Sequence, residues 1–268
     1  MRFIKLLAEK ILPRWLLRAI IEKMIEIKGR KNEHRYKGNI VLCPCCGKTF
    51  NQFIDFNVNE KDVNPERYKE TYKNKVCPYC FSKPRHRIVC YYFDKNKELL
   101  PKNKIIMFGA EYSIKKWFCK NGFRYITADL FNRSAHKKVD IQNIPFADES
   151  WELIICNHVL EHIPDYKLAL KELRRILTKN GILELTIPTD RNLETVYEDV
   201  KIATKEDRKK YFGQYDHLRI FGNDFDKILS ECGFSVEIIN GDNLPDEIVG
   251  VVGPADTGDN RVYICRKK

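Results

Sequence analysis

The chain has 268 residues, 43% of them hydrophobic, with 48 basic against 37 acidic side chains and a net charge of +11. That apolar content supports an ordinary core and excludes a disordered chain, and no run reaches the ~18 uninterrupted apolar residues that cross a bilayer. Glu9 and Lys10 interrupt the apolar stretch a secretion signal needs, so a cytoplasmic location is expected.

The charge is unevenly spread. Residues 1 to 40 carry eleven basic and four acidic side chains, residues 41 to 100 eleven and seven, and the remainder 26 of each. A basic, anion-seeking segment therefore precedes a neutral domain. No internal repeat or low-complexity tract interrupts either part.

Residues 1 to 29 read as helix, broken or kinked at Pro13. Arg14, Arg18, Glu22 and Glu26 recur every four residues and, with Lys23, make a narrow polar stripe. Trp15, Leu16, Leu17, Ile20, Ile21, Met24, Ile25 and Ile27 fill a wide apolar arc that must be covered. Two coverings fit: this protein or a second copy of it, or an anionic membrane surface held through residues 1 to 28, with cations snorkelling beside Trp15. Gly29 to Gly38 reads as a charged linker.

Five of the ten cysteines fall in two tight clusters. Cys43 and Cys46 form one Cys-x-x-Cys knuckle, and Cys77 and Cys80 form another. Two residues between thiolates let a turn aim both sulfurs at one ion, and two knuckles complete a tetrahedral structural zinc site. Cys45 is a rival for the place of Cys46. Lys83, Arg85, His86 and Arg87 follow the second knuckle, either as an anion-binding cluster or as internally paired charges.

From Lys104 strand and helix signals alternate, as in a parallel sheet covered by helices. Ile105–Phe108, Tyr125–Ala128, a short strand at Val139, Leu153–Cys156 and Ile182–Ile187 are expected strands. Helices are expected over Ser113–Lys120 and over the Ala169, Leu170, Leu173, Ile176 and Leu177 stripe, the latter stopped by Gly181. Val236–Ile239 and Arg261–Cys265 read as two final strands.

Asp129 stands 20 residues after Gly109, where an acidic side chain takes ribose hydroxyls in nucleotide-binding sheets. It is followed by Val139-Asp140-Ile141, Ile144-Pro145-Phe146, Asp148-Glu149-Ser150-Trp151-Glu152 and Leu160-Glu161-His162. That order resembles class I S-adenosylmethionine-dependent methyltransferases over about residues 104 to 190. With Pro84-Arg85-His86-Arg87 and Gln214-Tyr215-Asp216-His217-Leu218-Arg219, the chain looks like a bacterial subgroup with an N-terminal four-cysteine zinc segment.

The resemblance implies a Rossmann-like seven-stranded sheet and an S-adenosylmethionine site. That site opens at Phe108, Gly109 and Glu111, with Asp129 on the ribose, Asp140 and Ile141 at the adenine, and Asn157 and His158 at the methionine end. The expected division is a basic helix and linker at 1–38, a zinc module at 39–98 and a methyltransferase domain at 99–268. One departure stands out: the family's Gly-x-Gly-x-Gly turn is reduced to Gly109, with Glu111 and Ser113 in the other two places.

Methyl transfer needs a positioned nucleophile, and a hydroxyl nucleophile also needs a base. His217 and then His158 are the candidates. The Asn/Asp-Pro-Pro-aromatic signature of amine methylation is replaced by Asn157-His158-Val159-Leu160, which favours an oxygen acceptor. His158 to His162 also spells the inverted zinc-protease motif, but Pro164 leaves too little helix for it. The expected activity is O-methylation of a glycan or other hydroxylated small molecule. The alternatives are an RNA methyltransferase gripping nucleic acid through the basic zinc module, or a non-catalytic binding protein of the same fold.

Overall fold

The computed structural model describes residues 12–59, 61–241 and 261–268. Its centre is a seven-stranded sheet built from β5 (Ile105–Phe108), β6 (Tyr125–Asp129), β7 (Lys137–Lys138), β8 (Trp151–Asn157), β9 (Leu177–Thr186), β10 (Phe234–Asn240) and β11 (Arg261–Lys267). The order is β10-β11-β9-β8-β5-β6-β7. The five strands β5 to β9 run parallel, and β11 is antiparallel to both β9 and β10. This is the expected Rossmann-like methyltransferase sheet. All four residues of β5 are buried, the continuous apolar run demanded of a strand covered on both faces.

Two cores flank the sheet. On one face Ile106, Ile154 and Leu183 pack against Leu170 and Leu173 of α4 (Tyr166–Ile176) and Phe225 of α6 (Phe225–Glu231). The α4 stripe recurs at helical spacing, and Asp165 caps it by accepting from the Leu168 amide. On the other face Met107, Ile155 and Ile182 pack against α2 (Pro84–Lys95), α3 (Tyr112–Lys120) and the cysteines of the N-terminal module, all in one continuous core.

That module consists of the hairpin β1 (Lys37–Cys43) and β2 (Lys48–Phe50) and a second antiparallel pair, β3 (Ile54–Asn57) and β4 (Thr71–Val76). The segment between β3 and β4 reaches the far side of the domain. Val63 bridges Gln214, and Asn64 takes a backbone hydrogen bond from its own amide to Gly213. The remaining helix, α5 (Lys205–Phe212), ends at Gly213 in the left-handed conformation.

Three local expectations are corrected. The N-terminal helix α1 (Arg14–Arg35) starts after Pro13 but runs through the segment read as a linker. Gly29 is a close-approach residue, since an added Cβ would stand 2.2 Å from the Tyr79 carbonyl oxygen. Asn32 donates to the Pro78 carbonyl, so the helix extends because it docks on the second cysteine knuckle. Next, Gly181 does not stop α4. Strand β9 begins directly at Leu177, and Gly181 sits in a bulge where Trp151 opposes Leu177 while Leu153 opposes Ile182. Finally, the third strand occupies Lys137–Lys138 and ends just before Val139.

Among the described residues no helix is long and apolar enough to cross a membrane. Trp15, Met24 and Ile27 are exposed on α1, whereas Leu17 is buried. The connection between β10 and β11, and the helix expected before Pro13, lie outside the described residues.

Candidate active site

The residues expected to hold the cofactor come together at the carboxyl ends of β5, β6, β7 and β8, where the strand order reverses. This is the crevice in which open α/β sheets bind ligands. Gly109 follows β5 with φ of +60°, and an added Cβ would meet Val159 Cγ2 at 2.7 Å and the Asn157 carbonyl at 3.0 Å. Only glycine allows that turn to lie against the end of β8. Asp129 closes β6, and its Oδ1 accepts from the amides of Phe131 and Asn132 at 2.9 and 2.8 Å. Asp140 is oriented the same way by the Gln142 amide at 2.9 Å, and Phe108 and Ile141 are buried beneath. Asn157 is buried with Oδ1 accepting from the Thr186 hydroxyl at 2.7 Å, so its amide is tied to β9.

The two bulky replacements in the glycine turn are engaged by α2. Glu111 Oε1 accepts from Arg85 at 2.9 Å and lies 2.6 Å from His86 Nε2. The Lys83 amide donates to His86 Nδ1, and the Ser113 hydroxyl lies 3.0 Å from the same atom. An amide can only donate, so Nδ1 is the acceptor and the His86 hydrogen sits on Nε2, facing the carboxylate. Burial alone would raise the Glu111 carboxyl, but His86 and Arg85 outweigh it and hold the group well below the ordinary range. Burial lowers His86 towards the neutral form, which leaves Arg85 as the lasting charge partner. The crevice thus has the open turn and the paired acidic positions that fit S-adenosylmethionine.

Beside the crevice lies a cavity of about 890 Å³, walled by His158, Glu161 and His217 and roofed by Phe56, Tyr68 and Tyr72 of the cysteine module. His158 follows β8 with φ of +51°, and its amide donates to the Thr186 carbonyl at 2.9 Å. Its Nδ1 is 3.1 Å from Glu161 Oε1, and its Nε2 is buried with no hydrogen-bond partner among the described residues. His217 packs edge-on against His162 with ring centroids 4.9 Å apart. Burial first, and His162 second, push His217 down to about 3. Burial and then Arg85 drive His158 well below its usual value. Both are neutral imidazoles near pH 7.

Arg219 is a brace. Its guanidinium donates to the carbonyls of Leu160, Ile163 and Pro164 and pairs with Glu198 at 2.7 Å, holding the His217 segment against the turn after β8.

The four knuckle cysteines converge as the spacing requires. Their sulfurs lie within 4.8 Å of one another and all four residues are buried, a donor set that fits zinc. Cys45 is not in this group and donates instead to the His86 carbonyl. Arg87 is wholly buried behind the site, bonded to the carbonyls of Lys75 and Ser82, and Cys43, Cys77 and Cys80 are among its electrostatic partners. The Arg85-His86-Arg87 cluster is therefore internally paired rather than displayed. Lys83 lies over the Phe56 ring, 3.9 Å from its centroid.

One buried group had not been singled out. Glu184, near the carboxyl end of β9, is completely buried with no hydrogen-bond partner of good geometry for either oxygen among the described residues. Burial pushes its carboxyl up to about 8, against the pull of the Asn157 amide and with the help of Glu111. The signal was present in Ile182-Leu183-Glu184-Leu185, an acid inside an otherwise apolar central strand.

An uncharacterised protein of Methanocaldococcus jannaschii is 33% identical over 119 residues, covering 42% of this chain and 52% of that one. A demethylmenaquinone methyltransferase of Staphylococcus haemolyticus is 37% identical over 62 residues, 22% of this chain and 26% of that protein. The chain therefore spans about half the length of the first and about a quarter of the second. Among solved structures, a possible histamine N-methyltransferase of Thermotoga maritima aligns with 69% of this chain and 98% of its own, at 17% identity and a TM-score of 0.42. The methyltransferase-domain family itself matches residues 85–237, from the first turn of α2 to β10 and more than half of the chain, and to that family the chain belongs.

Proposed function

We propose that the chain is an S-adenosylmethionine-dependent O-methyltransferase acting on a hydroxylated small molecule or glycan that carries negative charge. The observation that carries this reading is the roofed cavity beside the cofactor crevice, with His158 in its wall held through Nδ1 by Glu161. Six Arg and Lys side chains line it against three carboxylates, and with Arg85 and Arg219 paired to Glu111 and Glu198 behind the lining the balance stays slightly basic, which favours an anionic acceptor.

S-adenosylmethionine supplies a methyl group on a sulfonium. Transfer forms the oxygen–methyl bond as the sulfur–methyl bond breaks, and the electron pair of the broken bond stays on sulfur. The protein's part is to position the acceptor oxygen and to take its proton. Glu161 Oε1 can only accept while ionised, so the Nδ1 of His158 carries the hydrogen and Nε2 offers a lone pair. An oxygen that is gaining a methyl group becomes strongly acidic, so a weakly basic imidazole suffices. His217, packed edge-on against His162, lines the same cavity beside Glu161.

We further propose that Cys43, Cys46, Cys77 and Cys80 hold a structural Zn²⁺ whose four protein ligands leave no position for catalysis. Arg87 offsets part of the negative charge that four thiolates around one ion create. The test is an S-adenosylhomocysteine-release screen across anionic glycan, small-molecule and RNA acceptors, with His158→Ala and His217→Ala as controls. Failure to bind S-adenosylmethionine by calorimetry overturns the reading, and turnover confined to RNA overturns the acceptor class.

A further inference from the structure

The order His158-Val159-Leu160-Glu161-His162 does not build a protease helix, because Leu160–His162 is a single 3₁₀ turn. That turn brings Glu161 and His162 to the cavity wall, and His217 meets them from the segment after α5. One donor atom from each lies within 4.8 Å of the other two.

Each donor is aimed from behind. His162 Nδ1 lies 3.1 Å from the Asp216 carbonyl and 3.6 Å from its carboxylate, which turns Nε2 towards Glu161, 3.9 Å away. The His217 ring packs edge-on against His162 with its own amide donating to the Gln214 carbonyl. Glu161 is fixed through its carbonyl, which accepts from the Leu218 amide at 2.9 Å, and through His158 at its Oε1. Such anchoring of the far ring nitrogen and of the carboxylate is what orients metal ligands.

We propose that Glu161, His162 and His217 bind a divalent transition-metal ion at the wall of the cavity, separate from the four-cysteine site. Two imidazoles and one carboxylate form a nitrogen–oxygen set suited to borderline divalent ions, and three ligands leave coordination positions open. The open side faces the cavity. An ion there attracts an acceptor hydroxyl oxygen and weakens its hold on the proton. This role rests on the O-methyltransferase reading; the ion site itself does not.

The test is Co²⁺ titration of the full, zinc-replete chain, followed by optical absorption. The expected result is weak d–d bands saturating at one Co²⁺ per chain, without the strong thiolate-to-metal absorption that replacement at the cysteines would give. His162→Ala and His217→Ala should each weaken uptake by more than roughly tenfold. His162 is partly exposed, so its replacement is the milder for folding, and a melting curve on each variant confirms the fold. Absence of d–d bands, bands of thiolate origin only, or unchanged uptake by folded His162→Ala protein overturns the proposal. Calorimetry with S-adenosylmethionine on the same samples separates the two readings. Cofactor binding without Co²⁺ uptake removes only the ion, whereas uptake without cofactor binding keeps the ion and removes the methyltransferase reading.

Discussion

Arg85, the first residue after Pro84 in the helix that leaves the cysteine module, donates to Glu111 in the turn after β5 at 2.9 Å. This contact ties a module stabilised by its cysteines to the loop that opens the cofactor crevice. Both side chains are less than a quarter exposed, so the pair is screened little by solvent. Glu111→Gln removes the carboxylate from this pair and should cost about 1 to 3 kcal/mol of stability near neutral pH. The native carboxyl lies below its unfolded value, so its contribution is present above the ordinary carboxylate range and is lost as the pH falls through it. Melting curves of the two proteins should therefore differ at pH 7 and converge in acid. The same substitution should weaken S-adenosylmethionine binding, read by calorimetry.

His158→Ala removes an imidazole that lines the cavity, while the cofactor crevice rests on Gly109, Asp129 and Asp140. Turnover should fall roughly 100- to 10,000-fold with cofactor affinity nearly unchanged. Glu161→Gln should reproduce much of this loss, because an amide at that place no longer fixes the His158 tautomer. Single-turnover rates together with calorimetry separate the chemical defect from a binding defect.

The sequence made the sheet legible because its central strands are uninterrupted apolar runs, and the metal-ligand candidates legible because knuckle spacing is a local property. It ranked His217 above His158, since a histidine between charged neighbours resembles a base. The structure sets both histidines on the cavity wall, and Glu161 defines which nitrogen of His158 is bare. What the sequence could not show is pairing at a distance. Nothing local connects Arg85 with Glu111, or the β3–β4 segment with Gly213, and Gly29 read as a helix end because its contact with Tyr79 lies far along the chain.

Zinc removal offers a direct check on the role of the module. Cys43→Ser, or chelation of the purified chain, should open the hairpin β1–β2 and expose residues 39–98 to limited proteolysis. Because the cysteines share a core with Phe93, Trp117 and Ile155, the sheet should also lose stability rather than merely shed an appendage. The matching measurement is metal content by elemental analysis. The variant is expected to hold one zinc per chain fewer than the native protein.

Glu184 gives the last prediction, and its sign is opposite to that of Glu111. Its folded carboxyl titrates at about 8, far above the ordinary unfolded value, so the native state binds a proton that the unfolded chain releases. Stability contributed by the protonated form is complete below the unfolded value and falls steadily as the pH rises towards 8, after which the loss is constant. Glu184→Gln keeps the shape and removes the titration. The variant should match the native protein near pH 4 and exceed it by roughly 2 to 4 kcal/mol at pH 8 to 9, a rise of several degrees in Tm. Equal pH dependence of the two melting curves would show that the carboxyl ionises in place. In that case Asn157 and its surroundings solvate the charge, and the central strand carries an anion next to the crevice.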